Sequence, residues 1–356
     1  MIRFKIFGAG SIGNHLAHAA RCLGWKVVVC DLDPEAIRRM REEIYPSRYG
    51  EWDASIGLHR VEDAPRDEFD LIAIGTPPDT HLSVALEALR ESPRAILVEK
   101  PLCPPDLNGV RELVDQAKAD QVRVFTGYDQ AVGRAGQAMA RVIQDGKLGD
   151  PLTLDVEFRE HWGGIFAAHP WLSGPADSYL GFWRRGGGAS GEHSHAVHLW
   201  QFFAHVAGAG RVVEVQATLD YVNEGEVDYD QICLMQLRTE NGLIGRVVQD
   251  VVTQPPRKWA RFQGSLGFTE WHCGNPIGAD VVRVGVGDAL EEQVFKKDRP
   301  DDFIQELQHL EQVLDAQSSA VSPLSLERGL ETMEVIAAAH QSQASGLRVP
   351  VKESRG

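Results

Sequence analysis

Three groups of residues have types and spacings suited to chemistry. The first is Glu99-Lys100-Pro101, a charged pair closing the apolar run Ala95-Ile96-Leu97-Val98. The run is bounded by Pro93 and Pro101 and reads as a buried strand. Charges at such an end are costly to bury without a partner or ligand, and in an open parallel sheet ligands bind there. Taken alone, the pair better suits charges meeting solvent, and the chain before and after it changes that. The second group is Gly8-Ala9-Gly10-Ser11-Ile12-Gly13, and the third is Glu192-His193-Ser194-His195-Ala196-Val197-His198. Three of the chain's 13 histidines fall in that last stretch. Imidazole titrates near neutrality, so this is a place where a proton can be taken or given. His198 lies one helical turn beyond His195, on the same face.

The elements around the glycines give them meaning. Ile2 to Phe7 is a strand, and a helical pattern follows from His15 to Leu23, stopped by Gly24. A Gly-x-Gly-x-x-Gly between strand and helix is the dinucleotide fingerprint, with a pyrophosphate stabilised at the helix N-terminus. The strand Lys26 to Cys30 ends at Asp31, which lies 31 − 13 = 18 residues past the last glycine. A carboxylate there accepts hydrogen bonds from a ribose diol and repels a 2′-phosphate, which favours NAD over NADP. Arg38 and Arg39, on the next helix, would soften that preference. Asp70 to Ile74 is a further strand, followed by Gly75-Thr76-Pro77-Pro78-Asp79-Thr80-His81 and a helix with Asp79 as N-cap. The stiff Pro-Pro segment either walls a cofactor groove or makes a plain strand-to-helix turn. Strand 94–98, a helix within 106–118 and strand Val122 to Phe125 complete a doubly wound parallel α/β pattern over residues 1–125.

Residues 126–356 read as a second domain. A connecting helix from Ala135 to Ile143 leads into Leu152–Arg159, which alternates apolar and polar like a strand with one wet face. More strands follow at 211–219, 230–238 and 243–252, with Asn241-Gly242 as a hairpin turn. Ala260 to Gln263 and Phe268 to Trp271 make another pair. Two helices close the chain: one with Phe303, Leu307, Leu310 and Leu314 on a face behind an Asp302-x-x-Gln305 capping box, the other with Leu326, Leu330, Met333 and Ala337. So few helices cannot cover both faces of a large open, mostly antiparallel sheet, which points to another subunit on one face. Between the first of these strands and Gly186-Gly187-Gly188 runs a long irregular segment, His161 to Arg185, rich in aromatics and arginine. Such a segment suits a sugar ring or an oligomer interface. Trp162 and Arg184, which flank it, are its candidate substrate residues.

Composition narrows the partners. Net charge is −15, which argues against nucleic acid or an anionic membrane surface. The five cysteines are widely spaced and form no Cys-x-x-Cys, so a reducing compartment fits. With no signal peptide and no apolar stretch long enough to span a membrane, a cytoplasmic location is expected.

The chain resembles the glucose-fructose oxidoreductase, inositol dehydrogenase and MocA-type oxidoreductases. The matching pieces are Gly8–Gly13, Gly75 to His81, Glu99-Lys100-Pro101-Leu102, Gly127-Tyr128-Asp129, Gly146-Lys147-Leu148-Gly149, Gly186-Gly187-Gly188 and the terminal helix region from Ser325 to Val349. The resemblance implies an NAD(P)-dependent dehydrogenase with a Rossmann domain and an α/β second domain. It implies a cofactor held by Gly8, Ala9, Gly10, Ser11, Ile12, Gly13 and Asp31, with Thr76, Pro77, His81, Glu99, Lys100 and Asp129 along its groove. It also implies a cis Lys100–Pro101 bond, Lys100 between nicotinamide and substrate, and a homodimer or homotetramer built through the second sheet. The family has an Asp four residues before a His on the facing helix. His195 matches the His, but Gly191 stands where the Asp would be and Glu192 is the nearest acid. The resulting site has Lys100, His195 and Glu192 as catalytic residues, and Lys100, Trp162, Arg184, His195 and His198 around the substrate. The reaction expected is oxidation of a sugar, sugar derivative or cyclitol. The alternatives are a redox glycosidase of the same family, a metal-dependent enzyme using Glu192, His193, His195 and His198, and a non-catalytic dinucleotide sensor. The histidine spacing fits neither His-Glu-x-x-His nor a zinc-finger pattern.

Overall fold

Short apolar runs alternating with helical periodicity become, in the computed structural model of the chain, a six-stranded parallel sheet of order β3-β2-β1-β4-β5-β6. Its elements are β1 (Arg3–Phe7), α1 (Ser11–Cys22), β2 (Lys26–Asp31), α2 (Pro34–Arg39), α3 (Tyr45–Tyr49), β3 (Ile56–Arg60), β4 (Leu71–Ile74), α4 (His81–Leu89), β5 (Ala95–Glu99), α5 (Val110–Ala119) and β6 (Arg123–Gly127). The described residues are 1–66, 69–167, 169–275, 278–316 and 321–353. Strand order reverses where β1 pairs with β2 on one side and β4 on the other, which is the switch point where such sheets bind ligands. Gly8, Asp31, Gly75 and Lys100 therefore stand together at the carboxyl ends of β1, β2, β4 and β5. The central strands are largely buried, with Lys5 of β1 paired to Glu91 at 2.7 Å inside the sheet's cover, as a sheet covered on both faces requires.

The second sheet has nine strands. Its elements are α6 (Arg134–Gln144), β7 (Pro151–Arg159), α7 (Trp162–Ala167), α8 (Gly188–Glu192), α9 (His195–Val206), β8 (Val212–Glu224), β9 (Val227–Thr239), β10 (Ile244–Asp250), β11 (Arg257–Gly264), β12 (Gly267–Asn275), β13 (Ala279–Val286) and β14 (Ala289–Lys296). After α10 (Asp301–Asp315), it is completed by α11 (Leu326–Ser345) and β15 (Val349–Pro350). The order is β14-β13-β12-β11-β7-β10-β9-β8-β15, antiparallel except for the β7–β10 pair. Helix α9 packs on β7 and β10, and the buried Trp200 indole donates to the Leu154 carbonyl at 2.8 Å. The opposite pleat carries cross-strand ion pairs, including Arg246–Asp155 at 3.2 Å and Arg261–Glu270 at 2.7 Å. Beyond the short β15, the Ala217 and Leu219 amides of β8 donate to Ser342 Oγ and Gln343 Oε1, both at 2.9 Å. Helix α11 thus satisfies part of an edge that would otherwise invite pairing.

The chain divides into two units, and the division is not a single cut. Met1–Leu102, Gly109–Asp129 and Arg299–Leu326 form the first; Cys103–Asn108, Gln130–Asp298 and Glu327–Gly356 form the second. Sequence order alone assigned residues 126–356 to one domain, yet α10 packs on α1 in the first unit, with His15 and Phe303 rings stacked at 4.8 Å. Two expected caps also differ. Asp79 falls inside a 3₁₀ turn, Pro78–Thr80, so α4 begins after Thr80. Helix α10 begins at Asp301 with Pro300 at its N-cap position, and Gln305 reaches back to the Asp301 carbonyl at 3.1 Å.

Candidate active site

In the first unit the fingerprint glycines are explained by what a side chain would strike. Gly8 has φ +107°, and a Cβ there would lie 2.7 Å from the Gly75 carbonyl oxygen. A Cβ on Gly13 would lie 1.9 Å from the Gly8 oxygen, so helix and strand pack too closely for any larger residue. Gly10 faces open space, with no atom within 4 Å of its would-be Cβ. That is the backbone a pyrophosphate can approach, and the cradle fits a dinucleotide. Asp31 Oδ2 accepts from the Ala9 amide at 2.7 Å, while Oδ1 accepts from Asp33 at 2.9 Å. The acid thus holds the loop that it borders. Asn14, a residue the sequence reading passed over, donates from Nδ2 to the Gly10 carbonyl at 2.8 Å and fixes the loop's other end. The Arg38 guanidinium is held by Glu35, Glu42 and Glu43 at 2.6–2.9 Å.

The Lys100–Pro101 bond is cis. Next to it, buried His81 lies between two loops, Nδ1 at 2.9 Å from the Pro101 carbonyl oxygen and Nε2 at 2.8 Å from that of Thr76. Burial lowers its pKa, so a neutral ring donates to one carbonyl at a time. His81 is thereby a staple between the Thr76 loop and the turn after Lys100. Thr80 Oγ1 reinforces the same loop with bonds of 2.8 Å to Thr76 Oγ1 and to the Pro77 carbonyl.

Glu99 is turned inward. Its carboxyl packs on Gly127, where a Cβ would lie 2.8 Å from Oε2, and it is 6% exposed. Burial, then the charge of Asp129, push it up to about 8, against the pull of Lys100. Glu306 of α10 is pushed well up by burial and by Glu99 and Asp129. Oε1 of Glu99 and Oε1 of Glu306 each lack a hydrogen-bond partner. Three neighbouring carboxyls in so dry a place cannot all ionise, so protons are retained behind Lys100 at neutral pH. Glu306 joins this carboxyl cluster only through the tertiary packing of α10.

In the second unit, Glu192 ends α8 and His195 opens α9. The His195 ring lies 6.3 Å from that of Phe158 on β7. Lys258, on the neighbouring strand β11 and paired with Phe158 in register, extends over the same ring at 5.9 Å and binds Glu160 at 2.7 Å. Burial alone would lower its pKa, but Glu160, Cys273 and Glu192 outweigh burial and hold the ammonium above the ordinary lysine value. Lys258 was not legible beforehand, because in an alternating strand it looks like any solvent-facing charge. His193 and His198 are buried, 3% exposed each, and the His193 carbonyl accepts from Gln249 at 2.5 Å. Among the described residues, no three His, Cys, Asp or Glu side chains are arranged to hold a metal ion.

Trp162 and Arg184 are not brought together. Trp162 is 8% exposed and packs in a cluster with Leu180, Ala189, Tyr229 and Val251. Arg184 lies over the Trp183 ring at 4.1 Å and lines an open cleft of about 600 Å³ with Tyr221, Asn223, Asp228, His340, Gln341 and Gln343. In the aromatic segment, in which residue 168 lies outside the described residues, Trp162 and Leu180 are buried and Ile165, Phe166 and Tyr179 are partly buried against the same cluster.

Residues 2–128 match the family model of the "Oxidoreductase family, NAD-binding Rossmann fold", and residues 137–270 match the "GFO/IDH/MocA C-terminal domain". The chain belongs to the Gfo/Idh/MocA oxidoreductase family. Its first domain is accordingly an NAD-binding Rossmann fold, as its glycines and Asp31 indicate. A myo-inositol 2-dehydrogenase of Thermotoga maritima is 22% identical over 161 residues, 45% of this chain and 46% of that protein. An oxidoreductase of Agrobacterium radiobacter, solved with NAD⁺, L-tartaric acid and magnesium, superposes with a TM-score of 0.78 at 18% identity over 98% of both chains. Levoglucosan dehydrogenase with NADH gives 0.78 at 17% over 99% of both. These structures share the parallel sheet and the separate, mostly antiparallel sheet. Among the described residues no helix is long and apolar enough to cross a membrane.

Proposed function

We propose that this oxidoreductase transfers a hydride between NAD and a hydroxyl-bearing carbon of a sugar, sugar derivative or cyclitol. The observation that carries the reading is the stapled strand end, where the Lys100-Pro101 turn is tied through His81 to the Thr76 loop beside the fingerprint. A lysine so fixed at the ligand-binding edge of the sheet can meet a reacting hydroxyl in one orientation. When bound, NAD supplies the nicotinamide carbon that accepts or returns the hydride. Gly8, Gly10, Gly13 and Asp31 hold it, and the neutralised Arg38 leaves Asp31 free to disfavour a 2′-phosphate.

Lys100 contacts the reacting hydroxyl and His195 relays its proton. Glu192 and Glu160 surround Lys258, so this second-unit cluster stands in for the acid that Gly191 lacks, orienting substrate through its ammonium. The Arg184 cleft, with aromatic walls and the amides of Asn223, Gln341 and Gln343, suits a polyhydroxylated ligand. A second copy of the chain covers the ion-paired face of the nine-stranded sheet, and the enzyme works in the cytoplasm. The test is a panel of sugars, sugar acids and cyclitols scored by NADH absorbance. At least one polyol should reduce NAD stoichiometrically and leave NADP nearly untouched. Reduction of NADP in preference to NAD would overturn the cofactor part of the reading. Failure of every sugar, sugar acid and cyclitol in the panel to reduce NAD would overturn the substrate part.

A further inference from the structure

Helix α3 places a cation beside the fingerprint although it lies 48 − 13 = 35 residues beyond it in sequence. Arg48 Nη1 donates to the Ser11 carbonyl at 3.0 Å, and Nη2 donates to the Ser11 hydroxyl at 2.9 Å. Nη1 also lies 3.2 Å from His15 Nε2. Ser11 is the first residue of α1, so the guanidinium is fixed at the helix turn whose amide end receives phosphate. The mount is rigid. Tyr49, the next residue, stacks on His18 at 3.6 Å and its hydroxyl contacts His15, while Tyr45 packs edge-on against His18. Arg299, at the start of the segment carrying α10, adds a second positive charge close enough to act on Arg48.

Positive charge is thereby concentrated at this turn. Burial, and after the opposing influence of Tyr49 the charge of Arg299, act against the Arg48 cation. The α1 N-terminus adds its own positive potential. A ligand with negative charge at this turn offsets all three, and the open space at Gly10 shows where it enters.

We propose that Arg48 is a pyrophosphate-binding residue, held on Ser11 by α3 so that its guanidinium contacts the phosphates of NAD, with Arg299 strengthening the field. The proposal rests on dinucleotide binding at the fingerprint. The competing role is a purely structural splint between α3 and α1, and the two differ in their response to salt. A charge–phosphate contact is screened as ionic strength rises, the Debye length being ~10 Å at 0.1 M, whereas a splint acts equally at all salt concentrations.

The experiment is fluorescence titration of the full chain with NADH at about 0.05 and about 0.5 M NaCl, either side of that screening range. Arg48→Gln, which keeps amide donors for Ser11 but no charge, should raise Kd about tenfold at low salt, in line with losing one charge-assisted hydrogen bond. The gap should shrink at high salt, and Arg48→Lys should lose less. An Arg48→Gln protein that binds NADH as the unaltered chain does, or whose deficit is the same at both salt concentrations, overturns the inference and leaves Arg48 as a splint. Should Arg48→Gln not fold, Arg48→Lys keeps the charge and must retain salt-sensitive binding, and its absence has the same force. Failure of the unaltered chain to bind NADH would instead overturn the dinucleotide reading itself.

Discussion

Asp31 shows how one side chain can serve loop and cofactor at once. Its two oxygens accept from Ala9 and Asp33, and each retains a lone pair for a ribose hydroxyl. NADH should therefore bind more tightly than NADPH, and Asp31→Ala should narrow the gap by weakening NADH. Equal affinities in the unaltered chain would contradict this role, and isothermal titration with both nucleotides decides it. Glu99 makes a different kind of prediction. A carboxyl raised from 4.5 to about 8 on folding favours the native state fully below the lower value. That stability is lost as pH rises through about 8, because the folded protein then gives up a proton it had held more tightly. Glu99→Gln removes the ionisation and keeps the shape. Its Tm advantage over the unaltered chain should be largest near pH 9 and vanish near pH 4, and a pH-independent difference would show that the carboxyl is not held protonated.

At the scale of elements, His81 joins the ends of two strands that the fold merely brings near each other. His81→Ala should cost about 1–3 kcal/mol in denaturant unfolding, since it leaves buried carbonyls without a donor. It should also lower kcat more than it weakens NADH binding, as the turn after Lys100 loosens while the fingerprint stays whole. Equal loss in both would place its effect on the Rossmann domain in general. The local parts of this site were readable from sequence because each is contiguous: strand, glycine turn and helix within about twenty residues, or a strand ended by Glu-Lys-Pro. What escaped reading is what tertiary contact assembles. Lys258 faces Phe158 only because β11 and β7 pair in register. Glu306 meets Glu99 only because α10 returns to the first unit. Strand β3, with Gly57, His59 and Arg60 among its five residues and only Ile56 buried, carries too little apolar signal to announce itself. The hairpin of β13 and β14 was missed because its outer strand is mostly exposed and charged. Trp162 in a long irregular segment reads the same from sequence whether it faces solvent or, as here, packs in a buried cluster.

The whole molecule carries its catalytic candidates on both units, with Lys100 on the first and Glu192, His195 and Lys258 on the second. The nine-stranded sheet leaves one pleat studded with paired charges and with Leu234 and Ile244 exposed at 42% and 49%. If a second copy covers it, light scattering should report a dimer or tetramer, and Ile244→Glu should shift the mass toward monomer. A monomer from the unaltered chain would contradict that expectation. The central claim, that a lysine fixed at the edge of the Rossmann sheet works on a hydroxyl as hydride leaves its carbon, is tested most directly by the pre-steady-state rate of hydride transfer in Lys100→Met, using the substrate found in the polyol panel. That rate should fall by roughly a hundredfold or more, as for loss of a general acid/base, with NADH affinity nearly unchanged. An unchanged hydride-transfer rate in Lys100→Met would contradict it and leave Glu99-Lys100-Pro101 as scaffold alone.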